Sequence, residues 1–246
     1  MSRSAPTQEL HFVIGGAGFL GSHIVHALVN RGEKSVAVFD LREPAEPVAG
    51  VHYFEGDLTS KASVTKALQN AQKATSKSLS EPLSVVLYHT ASPVAGLGAQ
   101  VYEKVNVEGT HTLLQVAKDK ANHIAKFVFT SSAGVVFGGR DLVYVDERLQ
   151  YPLTPLDAYN DTKARAETAV LAANDPEGLK TVSLRPAGIF GPGDRQALPG
   201  FFNVLASGRT NVQIGNNRNL FDWTYVENVA HAHLLAADAR SEERRV

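Results

Sequence analysis

Leu10-His11-Phe12-Val13-Ile14-Gly15-Gly16-Ala17-Gly18-Phe19-Leu20-Gly21 is the stretch that decides the fold. An apolar run of strand type passes straight into Gly15-x-x-Gly18-x-x-Gly21, and residues of helical period follow as far as Asn30. Glycine lets the backbone turn tightly and come close to a pyrophosphate. The helix behind it presents unpaired N–H groups and the positive end of its dipole. The spacing departs by one position from G-x-G-x-x-G, although Gly16 keeps a second glycine in the turn. A tight connection with no ligand has the same composition, so the surroundings of the turn must decide. If it binds a dinucleotide, Gly15, Gly18, Phe19, Leu20 and Gly21 are its contacts.

Outward from this corner, short apolar strands alternate with longer helical stretches, the pattern of βαβ units and a parallel sheet. Strands are expected at Leu10 to Ile14, Ser35 to Phe39, Val51 to Phe54, Val85 to His89, Lys126 to Thr130 and Thr181 to Leu184. Helices are expected near Phe19 to Asn30, Ser60 to Ala74, Tyr102 to Ala121 and Ala158 to Ala173, and Lys73 to Pro82 reads as a surface loop. The fold class is therefore α/β, a doubly wound Rossmann-like parallel sheet. Residues 1–9 read as a loose tail and residues 10–188 as the nucleotide-binding domain with the catalytic residues. Residues 189–246 read as a small, incomplete substrate-side lobe packed on it, with helices Leu198 to Ala206 and Val226 to Ala239, a strand near Val212 and a charged tail from Ser241.

Asp40 ends the second strand, where a carboxylate can accept hydrogen bonds from an adenosine ribose. Its charge would repel a 2′-phosphate, which favours NAD over NADP. Arg42, two residues on, leaves NADP open. Asp57, before Leu58 and after the third strand, has two equal readings: a contact to the adenine amine, or a cap for the next helix.

Tyr159 and Lys163 stand at i, i+4 on one helix, so both side chains leave the same face one turn apart. A free tyrosine titrates near 10, and a neighbouring ammonium favours the phenolate. Such a phenolate removes a hydroxyl proton as hydride leaves the same carbon for a nicotinamide. The pair is common by chance, and its plain reading is a surface helix pair. Ser131 and Ser132 follow the fifth strand, at the edge where open α/β sheets collect their ligand contacts; a hydroxyl there can hold the substrate oxygen or merely tie down a loop. Asn106 either supports a water relay to Lys163 or is structural.

The rest of the composition narrows the classes. With 24 basic and 25 acidic residues the net charge is −1, without a long block of one sign, which argues against a nucleic-acid ligand. The absence of cysteine excludes disulfides, thiolate metal sites and cysteine nucleophiles. No apolar run approaches the roughly 20 residues of a spanning helix. His231 and His233, two apart on a helix, face different sides and suggest no metal site. Phe201, Phe202 and Trp223 read as core or as the lining of a flat apolar pocket.

Five segments in order carry a resemblance: Gly15 to Gly21, His89-Thr90-Ala91-Ser92-Pro93, Thr130 to Val135, Tyr159-Asn160-Asp161-Thr162-Lys163 and Leu184-Arg185-Pro186. The chain resembles the extended short-chain dehydrogenases over nearly its whole length, and more narrowly the 3β-hydroxysteroid dehydrogenase family. Segments His89 to Pro93, Ser131 to Gly138 and Phe221 to His233 are similar to its decarboxylating sterol branch of fungal ergosterol synthesis rather than to sugar-nucleotide epimerases. The resemblance implies Tyr159 as acid/base, Lys163 as its partner on the cofactor ribose, and Ser132, the second serine of the motif, as ligand of the substrate oxygen. It implies Thr90, Ala91, Pro186 and Ile189 beside NAD. The implied reaction oxidises the 3β-hydroxyl of a 4α-carboxysterol to a ketone with loss of the carboxylate. A sterol substrate, sterol-demethylation partners, a homodimer and peripheral attachment to the cytosolic face of the endoplasmic reticulum belong to the same expectation. Members of the family usually continue well beyond the length of this chain. Another 3β-hydroxysteroid dehydrogenase, an epimerase, or a dinucleotide-binding module with little turnover are therefore the alternatives.

Overall fold

In the computed structural model, which describes residues 5–75, 82–94, 96–211, 213, 215–216 and 218–239, six strands make the central sheet. They are β1 (Leu10–Ile14), β2 (Val36–Asp40), β3 (Val51–Glu55), β4 (Val85–His89), β5 (Ile124–Thr130) and β6 (Lys180–Leu184). All pair in parallel, in the order β3-β2-β1-β4-β5-β6. Every residue of β1 and β4 is buried, as expected of parallel strands covered on both faces. The chain runs outward from β1 to β3 and then returns to β4 on the other side of β1. That reversal opens a crevice at the carboxyl ends of β1 and β4, where open α/β sheets bind their ligands.

Two layers of helices close the faces. α1 (Phe19–Arg31) and α7 (Val226–Ala239) cover one, where Ile24, Val25 and Leu28 meet Val229, Ala230 and Leu234 over Val13, Val38 and Val128. α2 (Lys61–Thr75), α4 (Gly109–Lys118) and α5 (Ala158–Ala172) cover the other, over Phe12, Leu87 and Phe127. α1 stops at Gly32, whose left-handed backbone (φ 97°) donates to the Leu28 and Val29 carbonyls. Between β4 and α4 lie the short α3 (Ala99–Tyr102) and a π-helical turn, Glu103–Glu108. Beyond the sheet, β7 (Gly188–Phe190) pairs with β8 (Trp223–Tyr225), and α6 (Ala197–Ala206) lies exposed beside them.

The expected strands and helices are present, with three differences. Residues 5–9 are not loose: the Thr7 amide donates to the Glu33 carboxylate at 3.0 Å, and Glu9 pairs with Lys126 at 2.8 Å. A polar segment still becomes ordered when buried charges need it as a partner. The single helix expected at Tyr102 to Ala121 is broken into α3, the π turn, α4 and a 3₁₀ turn at Lys120–Asn122. α7, read as part of the lobe beyond Gly188, is instead a full member of the α1 layer, because its Val229, Ala230 and Leu234 stripe matches the exposed apolar face of the sheet. The strand near Val212, the 76–81 part of the expected loop and the tail from Ser241 lie outside the described residues.

Candidate active site

The glycine turn is built to stay open. Gly15 adopts φ 81°, closed to most side chains, and a Cβ there would come within 2.7 Å of the Ala91 nitrogen. A Cβ on Gly21 would collide with the Gly15 carbonyl, so α1 can cross the turn only with glycine at that point. The Gly18 amide closes on the Gly15 carbonyl at 3.0 Å, and α1 then begins with no side-chain cap. The amides of its first turn, which include Phe19 and Leu20, have no partner within the helix. Thr90 fastens the turn to β4 by donating its hydroxyl to the Ile14 carbonyl at 2.9 Å. Asp40 sits at the rim, its Oδ2 accepting from the Ala17 amide at 3.0 Å and its Oδ1 from the Leu41 amide at 2.7 Å. A cradle that any Cβ would fill, an uncapped helix start and a carboxylate at the end of β2 together suit a dinucleotide.

Asp57 takes neither expected role: its Oδ1 accepts from the Thr59 amide at 2.9 Å and hydroxyl at 2.7 Å within the turn before α2, while Ser60 caps that helix by accepting from the Ser63 amide at 3.3 Å. The Thr59 bonds hold the Asp57 carboxyl below the ordinary range, with the exposed Lys104 ammonium 3.7 Å from Oδ2. Leu58 is buried against Gly109, where a side chain would strike it. Pro186 and Ile189 follow β6: the Pro186 carbonyl accepts from the Ala133 amide at 2.9 Å, and Ile189 pairs with Thr224.

α5 carries the proposed acid/base pair. Asp157 caps it by accepting from the Asn160 amide at 2.8 Å, which fixes the first turn and Tyr159 with it. Ser132 and Ser92 lie beside the Tyr159 hydroxyl, and Tyr102 packs edge-on against its ring at 5.7 Å. Ser132 is held by the 3₁₀ turn it begins, its Oγ accepting from the Gly134 amide at 3.1 Å. Burial raises the Tyr159 pKa, and the two neighbouring serine hydroxyls only partly offset it. The ammonium of Lys163, the expected partner of the phenol, rests on the end of β5 in this structure. It is 2% exposed, donates to the Thr130 carbonyl at 2.7 Å and lies over the Phe129 ring at 4.7 Å. Burial pushes it down to about 7 against the pull of Glu167.

Asn106 sits in the π turn, fully engaged. Its Oδ1 accepts from Ser92 at 3.1 Å, its Nδ2 donates to Thr162 at 3.1 Å, and its carbonyl accepts from Thr110 at 2.5 Å. These bonds brace the Ser92 loop against α5, as the structural reading of Asn106 has it. Ser92, Tyr102, Tyr151, Glu167 and His233 join the site without having been given a role in it. Glu167 left a signal: it lies four residues after Lys163 on the stripe that α5 buries. His233 is buried and neutral, pushed down to about 4, with Nδ1 on the Val229 carbonyl and Nε2 on the Thr130 hydroxyl, both at 2.7 Å. His231 points to solvent, and among the described residues no group of acidic or histidine side chains is placed to hold a metal.

Beyond β6, Phe201, Phe221 and Phe190 surround Trp223, at 5.8, 4.9 and 6.5 Å between ring centres. Beside them a cavity of about 590 Å³ is lined by Phe190, Leu198, Pro199, Phe202 and Tyr225. The aromatic residues there are half-exposed, so they are not ordinary core.

Comparison with known proteins agrees with this geometry. The chain is 46% identical to the sterol-4-alpha-carboxylate 3-dehydrogenase, decarboxylating, of Candida albicans, over 92% of this chain and 63% of that protein. It is 44% identical to the Saccharomyces cerevisiae enzyme of the same name, over 92% and 64%, and 38% identical to the Homo sapiens one, over 94% and 58%. It thus spans less than two thirds of the length of these relatives. Among solved structures, Bordetella bronchiseptica WbmH in complex with NAD⁺ superposes with a TM-score of 0.73 at 25% identity, over 94% of this chain and 72% of that one. Thermus thermophilus UDP-glucose 4-epimerase in complex with NAD gives 0.73 at 27%, over 92% and 73%. Residues 12–245 match the model of one family, and the chain belongs to it: the 3-beta hydroxysteroid dehydrogenase/isomerase family.

Proposed function

We propose that this chain forms the cofactor-binding and catalytic portion of an NAD-dependent dehydrogenase that oxidises the 3β-hydroxyl of a 4α-carboxysterol, with loss of the carboxylate. The observation that carries the reading is the Tyr159 hydroxyl beside Ser132 and Ser92, whose neighbour Ala91 packs against Gly15 of the glycine turn. The names of the fungal and human relatives supply the substrate class. Residues 10–188 hold the cofactor and the acid/base group, and the half-exposed aromatic residues around Trp223 begin the substrate side.

In this reading Gly15, Gly18, Gly21 and the first amides of α1 hold the pyrophosphate. Asp40 accepts the ribose hydroxyls, and Thr90, Ala91, Pro186 and Ile189 border the nicotinamide end. When bound, NAD supplies the hydride acceptor. Ser132 orients the sterol oxygen and Tyr159 removes its proton. Burial makes the Tyr159 phenolate costly, so the charge of Lys163 and the two serine hydroxyls must favour it at the moment of transfer. The product is a β-keto acid, whose carboxylate leaves as carbon dioxide because the electron pair left behind is delocalised as an enolate. No additional side chain is needed for that step. A sterol substrate places the chain at a membrane surface, peripherally on the endoplasmic reticulum beside sterol-demethylating partners. Among the described residues no helix is long and apolar enough to cross a bilayer.

The test is NADH formation followed in parallel with a 4α-carboxy-3β-hydroxysterol, a 3β-hydroxysteroid lacking the carboxylate and a UDP-sugar. The first is expected to turn over. Turnover of the UDP-sugar alone, or NAD binding without turnover of any of the three, overturns the reading.

A further inference from the structure

Glu167 stands one helical turn beyond Lys163 on the same face of α5 and is completely buried. A carboxylate withdrawn from water must have its lone pairs filled. The Tyr151 hydroxyl does so from the segment before α5, at 2.7 Å, and the Ser183 hydroxyl from β6, at 3.1 Å. Arg185, just past β6, adds Nε at 2.9 Å and Nη2 at 2.5 Å, and its guanidinium lies 5.4 Å from the centre of the Tyr151 ring. The residues on either side of Arg185 grip the serine loop. The Leu184 carbonyl accepts from the Ser131 amide at 2.7 Å, and the Pro186 carbonyl from the Ala133 amide at 2.9 Å.

The same carboxylate bears on Lys163. The immediate partners of that ammonium are the Thr130 carbonyl and the Phe129 ring, a dipole and a quadrupole, neither with a full negative charge. The other titratable groups around it do not supply one. His89, across the Phe129 ring from β4, is held neutral by burial, and Tyr159 is held as the phenol. Glu167 is the anion acting on Lys163, and it is itself held ionised by Arg185 and by the Tyr151 hydrogen bond.

We propose that Glu167 is a positioning residue of this site: its buried carboxylate keeps Lys163 in the charged form and clamps the Arg185–Pro186 exit against the loop that carries Ser132. The proposal rests on the dehydrogenase reading, because only there is the charge of Lys163 put to use.

The two halves separate in a titration that needs no turnover. With lysine labelled by an NMR-active carbon at Cε, and the Lys163 signal assigned by its loss in Lys163→Met, the full chain reports the protonation of Lys163 directly, at about pH 7. Glu167→Gln keeps the shape and removes the charge, and the transition is expected to move down by about one pH unit. Arg185→Gln removes the opposing cation, and the transition is expected to move up. Tyr151→Phe removes a hydrogen bond and no charge, and is expected to leave it in place. The alkaline limb of the pH profile for NADH formation should shift in the same directions. A Lys163 transition unmoved in both Glu167→Gln and Arg185→Gln overturns the inference. Should Glu167→Gln fail to fold, Arg185→Gln decides by sign, since a role confined to packing predicts no upward shift. Turnover that survives Tyr159→Phe sinks the dehydrogenase reading instead, and leaves the titration standing.

Discussion

Asp40 is fixed by the amides of Ala17 and Leu41, so its charge is held at one place beside the turn. Asp40→Asn retains the shape and removes both the charged acceptor and the repulsion of a 2′-phosphate. NAD affinity should fall about tenfold, the scale of one charge-assisted hydrogen bond, while the NAD to NADP preference narrows or reverses. Calorimetric titration with each nucleotide measures both, and an unchanged preference would remove Asp40 from its role. Gly21→Ala is the steric counterpart. Its methyl meets the Gly15 carbonyl, and the overpacking should cost about 1–3 kcal/mol in denaturant unfolding together with loss of nucleotide binding.

At the level of elements, α5 combines a fold role and a site role. Asp157→Ala removes the acceptor for the Asn160 amide and should cost about 1 kcal/mol. Because the frayed turn includes Tyr159, kcat should fall more than nucleotide affinity. Much of this level was legible from the chain. β1 and β4 fall where the apolar runs lie, and α7 where its helical period lies, because burial on both sheet faces leaves an unbroken hydrophobic signal. The short pair β7 and β8 was not legible, since three residues that include Gly188 carry no period. Nor was the π turn, which keeps helical composition while altering only the hydrogen-bond step. Within the site, Gly15, Asp40, Ser132 and Tyr159 could be found from motif and strand end. Glu167, signalled only by its step of four from Lys163, and His233 could not be given their roles, because a charged or titratable residue at a core position looks like a surface residue until its partners, Arg185 and Thr130, are brought to it by the fold.

Across the whole molecule, the end of the sheet opposite the crevice is held by a buried polar cluster. Glu33 receives the Thr7 amide, Arg31 Nε at 2.8 Å and His11 at 3.3 Å, while Arg31 reaches Asp238 of α7 at 2.9 Å. Burial pushes the Glu33 pKa up, but the His11 hydrogen bond and charge, the Thr7 amide and Arg31 outweigh it and hold the carboxyl below its usual 4.5. A lowered folded-state value means stabilisation that is complete above the unfolded-state carboxylate range and lost as pH falls through the folded value. Glu33→Gln should therefore lower Tm at pH 7 and lessen the dependence of Tm on pH below about 4.5, read by thermal scans across that range. Equal acid sensitivity in both proteins would contradict this. At the crevice end the chemistry depends on Tyr159, and the decisive variant is Tyr159→Phe, with NAD binding and NADH formation from a 4α-carboxy-3β-hydroxysterol measured on the same preparation. NAD affinity is expected to stay within about twofold of the parent, since only the hydroxyl is lost, and the rate to fall by at least about a hundredfold. Undiminished turnover in that variant would contradict that role for Tyr159.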